Sequence, residues 1–133
     1  MIPQIIAHRG ASYLAPENTL AAFRKAMEIG ADGVEMDVQK TLDGGLVIHH
    51  DYIIDLHTDI SGRIYDMTEG ELKDLDFGSW KDVAYKDEKI ATLAEALALC
   101  KSMEGWMPSA RQTSPTDWYL FRSTTTCCGR PRR

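Results

Sequence analysis

Three short apolar runs, each closing in ionisable side chains, constrain this chain more than any other feature. Ile5-Ile6-Ala7 leads into His8-Arg9-Gly10, Val34 leads into Glu35-Met36-Asp37, and Leu46-Val47-Ile48 leads into His49-His50-Asp51. Brief runs of Ile, Val and Ala bounded by turn residues make buried strands. His, Arg, Glu and Asp seldom go inside without a partner. Polar residues at the C-terminal ends of successive buried strands are the way α/β folds assemble active sites. The pattern predicts three strand ends converging on a metal and a phosphate.

The intervals between the runs fit an α/β order. Residues 2–7 read as the first strand, and Gly10 allows a sharp turn or a close backbone approach. Pro16-Glu17-Asn18-Thr19 predicts a helix start, followed at helical spacing by Leu20, Phe23, Ala26 and Met27, with Gly30 as its stop. From Gly33 to Gln39 the chain alternates, so Val34, Met36 and Val38 face one way and Glu35 and Asp37 the other. Asp43-Gly44-Gly45 is a turn, and 46–50 is a third strand. A connection this short allows an antiparallel hairpin, whereas a parallel pair needs a longer crossover.

Residues 51–90 are polar and irregular, except that Thr68-Glu69-Gly70-Glu71 is a capping box opening a short helix through about Leu75. Thr92-Leu93-Ala94-Glu95 opens a second helix carrying Ala96, Leu97, Leu99 and Cys100, with its end expected between Met103 and Gly105. Past Trp106 the composition turns to Ser, Thr, Pro and Arg with no apolar period. Residues 117–121 could form one strand or an exposed loop, and 123–133 are unsuited to a core.

Charge separates the same two parts. Residues 1–106 hold 10 Lys+Arg against 19 Asp+Glu, a balance of −9, while residues 107–133 hold five Arg and one Asp, a balance of +4. The acidic body argues against a nucleic-acid partner, which normally meets a basic face. No apolar run approaches a membrane span, and Met1-Ile2-Pro3-Gln4 lacks the features of a signal peptide, so a cytoplasmic protein is expected. Cys100, Cys127 and Cys128 have no metal-site or disulfide-framework spacing. Cys100 reads as a core or boundary residue.

Glu35 and Asp37, two apart on a strand, project their carboxylates from one face. Buried, such a pair calls for a cation, and hard oxygens suit Mg²⁺ or Ca²⁺. The alternative is a solvent-facing acidic edge. His8 beside Arg9 combines a group that titrates near neutrality with a fork that matches phosphate, or is simply a strand end with a surface arginine. His49 and His50 point to opposite faces, so at most one faces the acidic pair. Asp51 orients His50 or caps the next turn. His57 reads as a surface residue, and Trp80 as a packing anchor of the irregular segment.

Taken in order, His8-Arg9-Gly10-Ala11, Pro16-Glu17-Asn18-Thr19, Gly30-Ala31-Asp32, Val34-Glu35-Met36-Asp37-Val38, Asp43-Gly44 and His50-Asp51 resemble the glycerophosphodiester phosphodiesterase family. Gly62-Arg63-Ile64, Leu72 to Trp80 and Ile90 to Leu97 continue the likeness, which runs from about Ile5 to Met103. The resemblance implies the N-terminal portion of a (β/α)8 TIM barrel, residues 1–106, with a small insertion at 51–90 and the third strand a barrel neighbour of the second. It implies hydrolysis of glycerophosphodiesters to glycerol 3-phosphate and an alcohol. By position, His8 and His50 become the general acid/base pair, Arg9 the phosphate contact, Glu35 and Asp37 the ligands of a divalent cation, and Glu17 a supporting residue. The nucleophile is left open between water and the substrate's own glycerol hydroxyl, the latter through a cyclic phosphate.

The resemblance also implies a strand after the second helix with a further Glu ligand and a Lys, yet after Gly105 there is neither Glu nor Lys. A closed barrel takes about 250 residues. The expectation is therefore an incomplete barrel followed by a divergent, disordered tail at 107–133, the mark of a frameshift or altered splice, with self-association through exposed barrel edges. The alternative to an enzyme is a catalytically inactive fragment that keeps part of the metal and phosphate site or serves an interaction.

Overall fold

The computed structural model describes residues 3–102, 120–121 and 124–128. Its first unit is strand–helix–strand: β1 (Ile6–His8), α1 (Leu20–Glu28) and β2 (Gly33–Lys40). β1 and β2 pair in parallel, with His8 opposite Glu35, so two of the three ionisable strand ends do meet side by side. β1 is shorter than residues 2–7, and Ile5 is exposed. Its N–H donates to the Asp32 carboxylate at 2.8 Å.

α1 begins where the sequence indicates. The Thr19 hydroxyl accepts from Ala22 N–H at 3.2 Å and itself donates to the Pro16 carbonyl at 2.6 Å. Ala22, Phe23, Ala26 and Met27 are its buried stripe, and Gly30 closes the helix with φ +83°. Gly10 has φ +81°, and a Cβ there would lie 2.8 Å from the Ala22 carbonyl carbon. Only glycine lets the turn after β1 press this closely on the helix, where Ala11 N–H donates to the Ala22 carbonyl.

β3 (Leu46–Ile48) runs antiparallel to the second half of β2, with Val38 opposite Ile48. The 41–45 turn makes a hairpin, as its length permits, so β3 is a neighbour of β2 but not a parallel barrel strand. It also stops two residues short of the expected end. Ile48 N–H donates to the Ala91 carbonyl, His49 N–H returns to the Asp37 carbonyl, and the chain then leaves the sheet. Of the three strand ends, the third therefore reaches the other two by folding back along β2.

The insertion is more ordered than its polar composition implies. It holds α2 (Glu69–Asp74), with the expected Thr68/Glu71 capping box, and two 3₁₀ turns at Ile64–Asp66 and Val83–Tyr85. Ile54, Ile64, Leu72 and Phe77 bury against Val47 and Ile90 as a second core. The main core lies between α1, β2 and α3 (Leu93–Ser102), around Phe23, Met36, Ala96 and Cys100. α3 starts at its predicted box, where Glu95 N–H donates to the Thr92 hydroxyl. Its expected end at 103–105 lies outside the described residues.

β4 (Leu120–Phe121) and β5 (Thr124–Cys128) extend the sheet to the order β1-β2-β5-β4. β5 runs antiparallel to β2, from Gly33 opposite Cys128 to Asp37 opposite Thr124. The composition of 123–133 gives little reason to expect this ladder. Its cause is the free edge of β2, whose backbone groups need partners, met by a β-prone run of threonines. The rest of the 107–133 segment lies outside the described residues.

Candidate active site

The parallel pairing of β1 and β2 builds the site from its floor. Glu35 and Asp37 alternate with the buried Val34 and Met36, so both carboxylates leave β2 on one face, each side chain less than one-fifth exposed. At the end of β1 the chain turns through Arg9 at φ +57°, a sparsely populated conformation for a residue with a side chain. That turn brings Arg9 N–H to within 3.2 Å of Glu35 Oε2 and sends its guanidinium across to Asp37. His8 Nε2 lies 3.8 Å from Glu35 Oε2, with most of the imidazole in solvent.

Arg9 is clamped from both ends. Its Nη1 donates to Glu17 Oε1 at 2.9 Å, and its Nε stands 3.4 Å from Asp37 Oδ2. That buried Nε has an ion-pair contact but, among the described residues, no hydrogen bond. A guanidinium fixed between two carboxylates, with donors still to satisfy, is suited to a phosphate oxygen. Glu17, expected as a supporting residue, therefore sits directly behind Arg9.

Asn18 is the residue that local reading missed. The sequence places it in a helix start, but the cap is Thr19. Asn18 is buried, holds φ +58°, and donates Nδ2 to Asp37 Oδ2 at 3.1 Å while its Oδ1 accepts from Asp37 N–H at 3.3 Å. Its own N–H donates to the Arg9 carbonyl. The available signal was its place inside Pro-Glu-Asn-Thr, where any of three polar residues could have been the cap.

The third arm is the loop after β3. His50 and Asp37 line one cleft of about 480 Å³, together with Gln39, Lys40, Tyr52 and Tyr65. His50 Nδ1 is 2.8 Å from Asp51 Oδ1, which supports the orienting role for Asp51 over a cap. Burial raises the Asp51 carboxyl, but the hydrogen bond and charge of His50 outweigh it and leave it below its ordinary range. Gln39, two residues beyond Asp37 on the same face, donates Nε2 toward three consecutive carbonyls, those of His49, His50 and Asp51, at 3.0, 2.8 and 2.8 Å. The strand that carries the acidic pair thus also holds the loop that carries His50.

His49 takes the opposite face, as alternation required, and is buried. His57 is not the surface residue its loop position suggested. Its side chain is 11% exposed, and its Nδ1 is 3.0 Å from His49 Nε2, with the Trp80 ring 4.4 Å away. Burial holds both imidazoles below their ordinary pKa, opposed at His57 by the Glu17 charge.

The carboxylate oxygens divide into two sets. Among the described residues, the contacts of Asp37 fall on Oδ2 and those of Glu35 on Oε2, leaving Oδ1 and Oε1 for a further ligand. Two hard oxygens fit a divalent cation whose other positions go to water and substrate. No group of three His, Cys, Asp or Glu side chains arranged to hold a metal occurs among the described residues.

A sequence model of the glycerophosphoryl diester phosphodiesterase family matches residues 8–116. A glycerophosphodiester phosphodiesterase of Caldanaerobacter subterraneus is 50% identical over 95 residues, 71% of this chain and 39% of that protein. Human glycerophosphodiester phosphodiesterase 1 is 47% identical over 97 residues, 71% of this chain and 29% of that one. Among solved structures, an Oleispira antarctica phosphodiesterase in complex with the product sn-glycerol-3-phosphate is similar with a TM-score of 0.73 at 48% identity, over 76% of this chain and 41% of that one. A glycerophosphodiester phosphodiesterase of Agrobacterium tumefaciens matches with the same TM-score at 37% identity, over 44% of its length. The chain spans less than half the length of each of these relatives.

Proposed function

Because the chain belongs to the glycerophosphoryl diester phosphodiesterase family, and its α/β fold is the N-terminal part of that family's TIM barrel, we propose that its site binds and hydrolyses glycerophosphodiesters to glycerol 3-phosphate and an alcohol. The observation that carries this reading is Arg9, held by Glu17 at Nη1 and by Asp37 at Nε, so that the rest of its guanidinium fork is oriented beside the acidic pair. The Oleispira relative binds sn-glycerol 3-phosphate, a ligand whose phosphate such a guanidinium would take.

In this reading Arg9 holds a phosphoryl oxygen and opposes the charge that develops there. His8 and His50 divide the proton transfers. One accepts the proton of the attacking oxygen, and the other donates to the departing alkoxide. Asp51 holds His50 in orientation through its Nδ1, leaving Nε2 for the transfer, and Glu17 keeps Arg9 in place. Glu35 and Asp37 would hold a divalent cation, Mg²⁺ or Ca²⁺, through Oε1 and Oδ1, and the ion would polarise a phosphoryl oxygen. The substrate is water-soluble and the reading places the chain in the cytoplasm.

A second reading has its own observation. No group of three His, Cys, Asp or Glu side chains that could hold a cation occurs among the described residues, which favours a chain that binds phosphate and cation weakly without turnover. Self-association through sheet edges would then be a route to a complete site. Release of glycerol 3-phosphate from glycerophosphocholine by the purified chain, with Mg²⁺, with Ca²⁺ and with chelator, separates the two. Cation-dependent release that disappears in His8→Ala supports the enzyme. Release no greater than that of His8→Ala supports the binding fragment.

A further inference from the structure

We propose that His57, delivered by the insertion, is a positioning residue that joins the phosphate arm of the site to its histidine arm; this rests on the phosphodiester reading and deepens it. The two arms come from distant parts of the chain. Arg9 and Glu17 precede and lead into α1, whereas His49, His50 and Asp51 follow β3. His57 touches both.

The direction of every hydrogen in this joint can be derived. The Asp51 carbonyl can only accept, so His49 Nδ1 carries the hydrogen of their 2.8 Å contact. With His49 buried and neutral, its Nε2 is then a lone pair. His57 Nδ1 therefore donates across the 3.0 Å contact between the rings. In neutral His57 this leaves Nε2 bare, 3.9 Å from Glu17 Oε1, beyond a hydrogen bond but within the reach of an ion pair. Both rings are thus forced into the Nδ1–H tautomer.

The same logic places the first added proton. It sits on either side of the contact between the rings: His57 carries both hydrogens, or His49 takes the one at Nε2 and His57 becomes the Nε2–H tautomer. In both arrangements the hydrogen bond between the rings survives and His57 Nε2 gains a donor aimed at Glu17. The charged and titratable groups facing His57 are Glu17, Arg9, Asp51, His50 and His49. Glu17 and Asp51 favour the cation, Arg9 and His50 oppose it, and Trp80 covers the ring at a 47° tilt. The hydrogen gained with the first proton stands at His57 Nε2, facing Glu17.

The joint matters because Glu17 Oε1 is shared. It accepts from Arg9 Nη1 at 2.9 Å and faces His57 Nε2. Once His57 Nε2 carries a hydrogen, the position of Glu17, and through it of the Arg9 guanidinium, is set partly from the insertion. An exposed loop residue would exert no such control.

The first test reads the imidazole nitrogens of the full chain by long-range proton–nitrogen NMR at mildly alkaline pH and then on acidification. The expected result is Nδ1–H on both rings at alkaline pH, with a hydrogen appearing at His57 Nε2 on acidification. An Nε2–H tautomer on either ring at alkaline pH, or no hydrogen at His57 Nε2 on acidification, overturns the proposal. The second test measures sn-glycerol 3-phosphate binding by calorimetry. At the acidic end of that pH range, where His57 Nε2 carries its hydrogen, His57→Ala should bind roughly tenfold more weakly, the loss expected of one charge-assisted contact. His57→Gln, whose amide reaches the Nε2 position, should recover most of that loss, and His57→Asn, whose amide reaches only Nδ1, should not. Unchanged affinity in His57→Ala overturns the proposal. Failure of the unmodified chain to bind glycerol 3-phosphate would instead remove the phosphodiester reading, and the tautomers and the hydrogen gained at His57 Nε2 would still decide the joint.

Discussion

Asn18 and Asp37 exchange two hydrogen bonds, side chain to side chain and side chain to backbone, across nineteen positions of sequence. This exchange fixes the acidic strand against the turn that carries Arg9, since Asn18 N–H also donates to the Arg9 carbonyl. Asn is among the few residues that combine such a side chain with tolerance of φ +58°. Asn18→Ala strands the Asp37 N–H and strains the turn. A loss of about 2–4 kcal/mol is expected, read from the denaturant midpoint. A change below half a kcal/mol would contradict the assignment.

Gly10 makes a sharper steric prediction. A methyl group there would meet the Ala22 backbone at 2.8 Å, and φ +81° is itself unfavourable for alanine. Neither the helix backbone nor the turn can yield without moving Arg9. Gly10→Ala should cost about 2–4 kcal/mol and lower the soluble yield. A melting temperature equal to that of the unmodified chain would show that the turn relaxes.

Gln39 has two N–H hydrogens for three carbonyls, all of them on the loop that carries His50. Gln39→Leu leaves those carbonyls converging without a donor, so the loop should open and His50 move relative to Asp37. In an active chain, kcat should fall on the order of 10- to 100-fold with KM little changed, the signature of lost alignment. A selective rise in KM would point to substrate contact instead.

Stability should depend on pH through the buried histidines. Burial lowers the pKa of His49 and of His57 in the folded chain. Below about pH 6.5 the unfolded chain binds protons that the folded chain refuses, so stability rises with pH up to that value and flattens above it. The slope per ring can reach about 1.4 kcal/mol per pH unit. His49→Gln should flatten the dependence between pH 5 and 7, measured by denaturation at each pH. Asp76 contributes in a lower window. Burial raises its carboxyl, hydrogen bonds from Ser79 and Gly78 more than offset this, and its stabilisation disappears only as pH falls below the ordinary carboxylate range.

Much of the framework was legible from local pattern. Thr68 and Thr92 each cap the helix their spacing indicates, a cap for α1 falls within the expected 16–19 start, and Val34 and Met36 turn inward while Glu35 and Asp37 do not. The resemblance points to Arg9, Glu17, Glu35 and Asp37, and the fold gathers the three carboxylates around Arg9. Nothing in Leu56-His57-Thr58 differs from an exposed loop, so the inward turn of His57 is not legible locally. Its burial depends on Trp80, twenty-three positions further along, and on His49, eight positions back.

Sequence alone determined the elements and their amphipathic faces, because strand alternation and helix caps depend on residues within a few positions of each other. Tertiary structure decided which way β3 runs, that the insertion has its own core, and that His57 turns inward toward Glu17. Contacts such as Tyr85 hydroxyl to the Leu14 carbonyl and Ala21 N–H to Glu88 join segments about seventy residues apart. Such contacts form only when two surfaces are complementary in shape and polarity, and no period along a single chain encodes that complementarity.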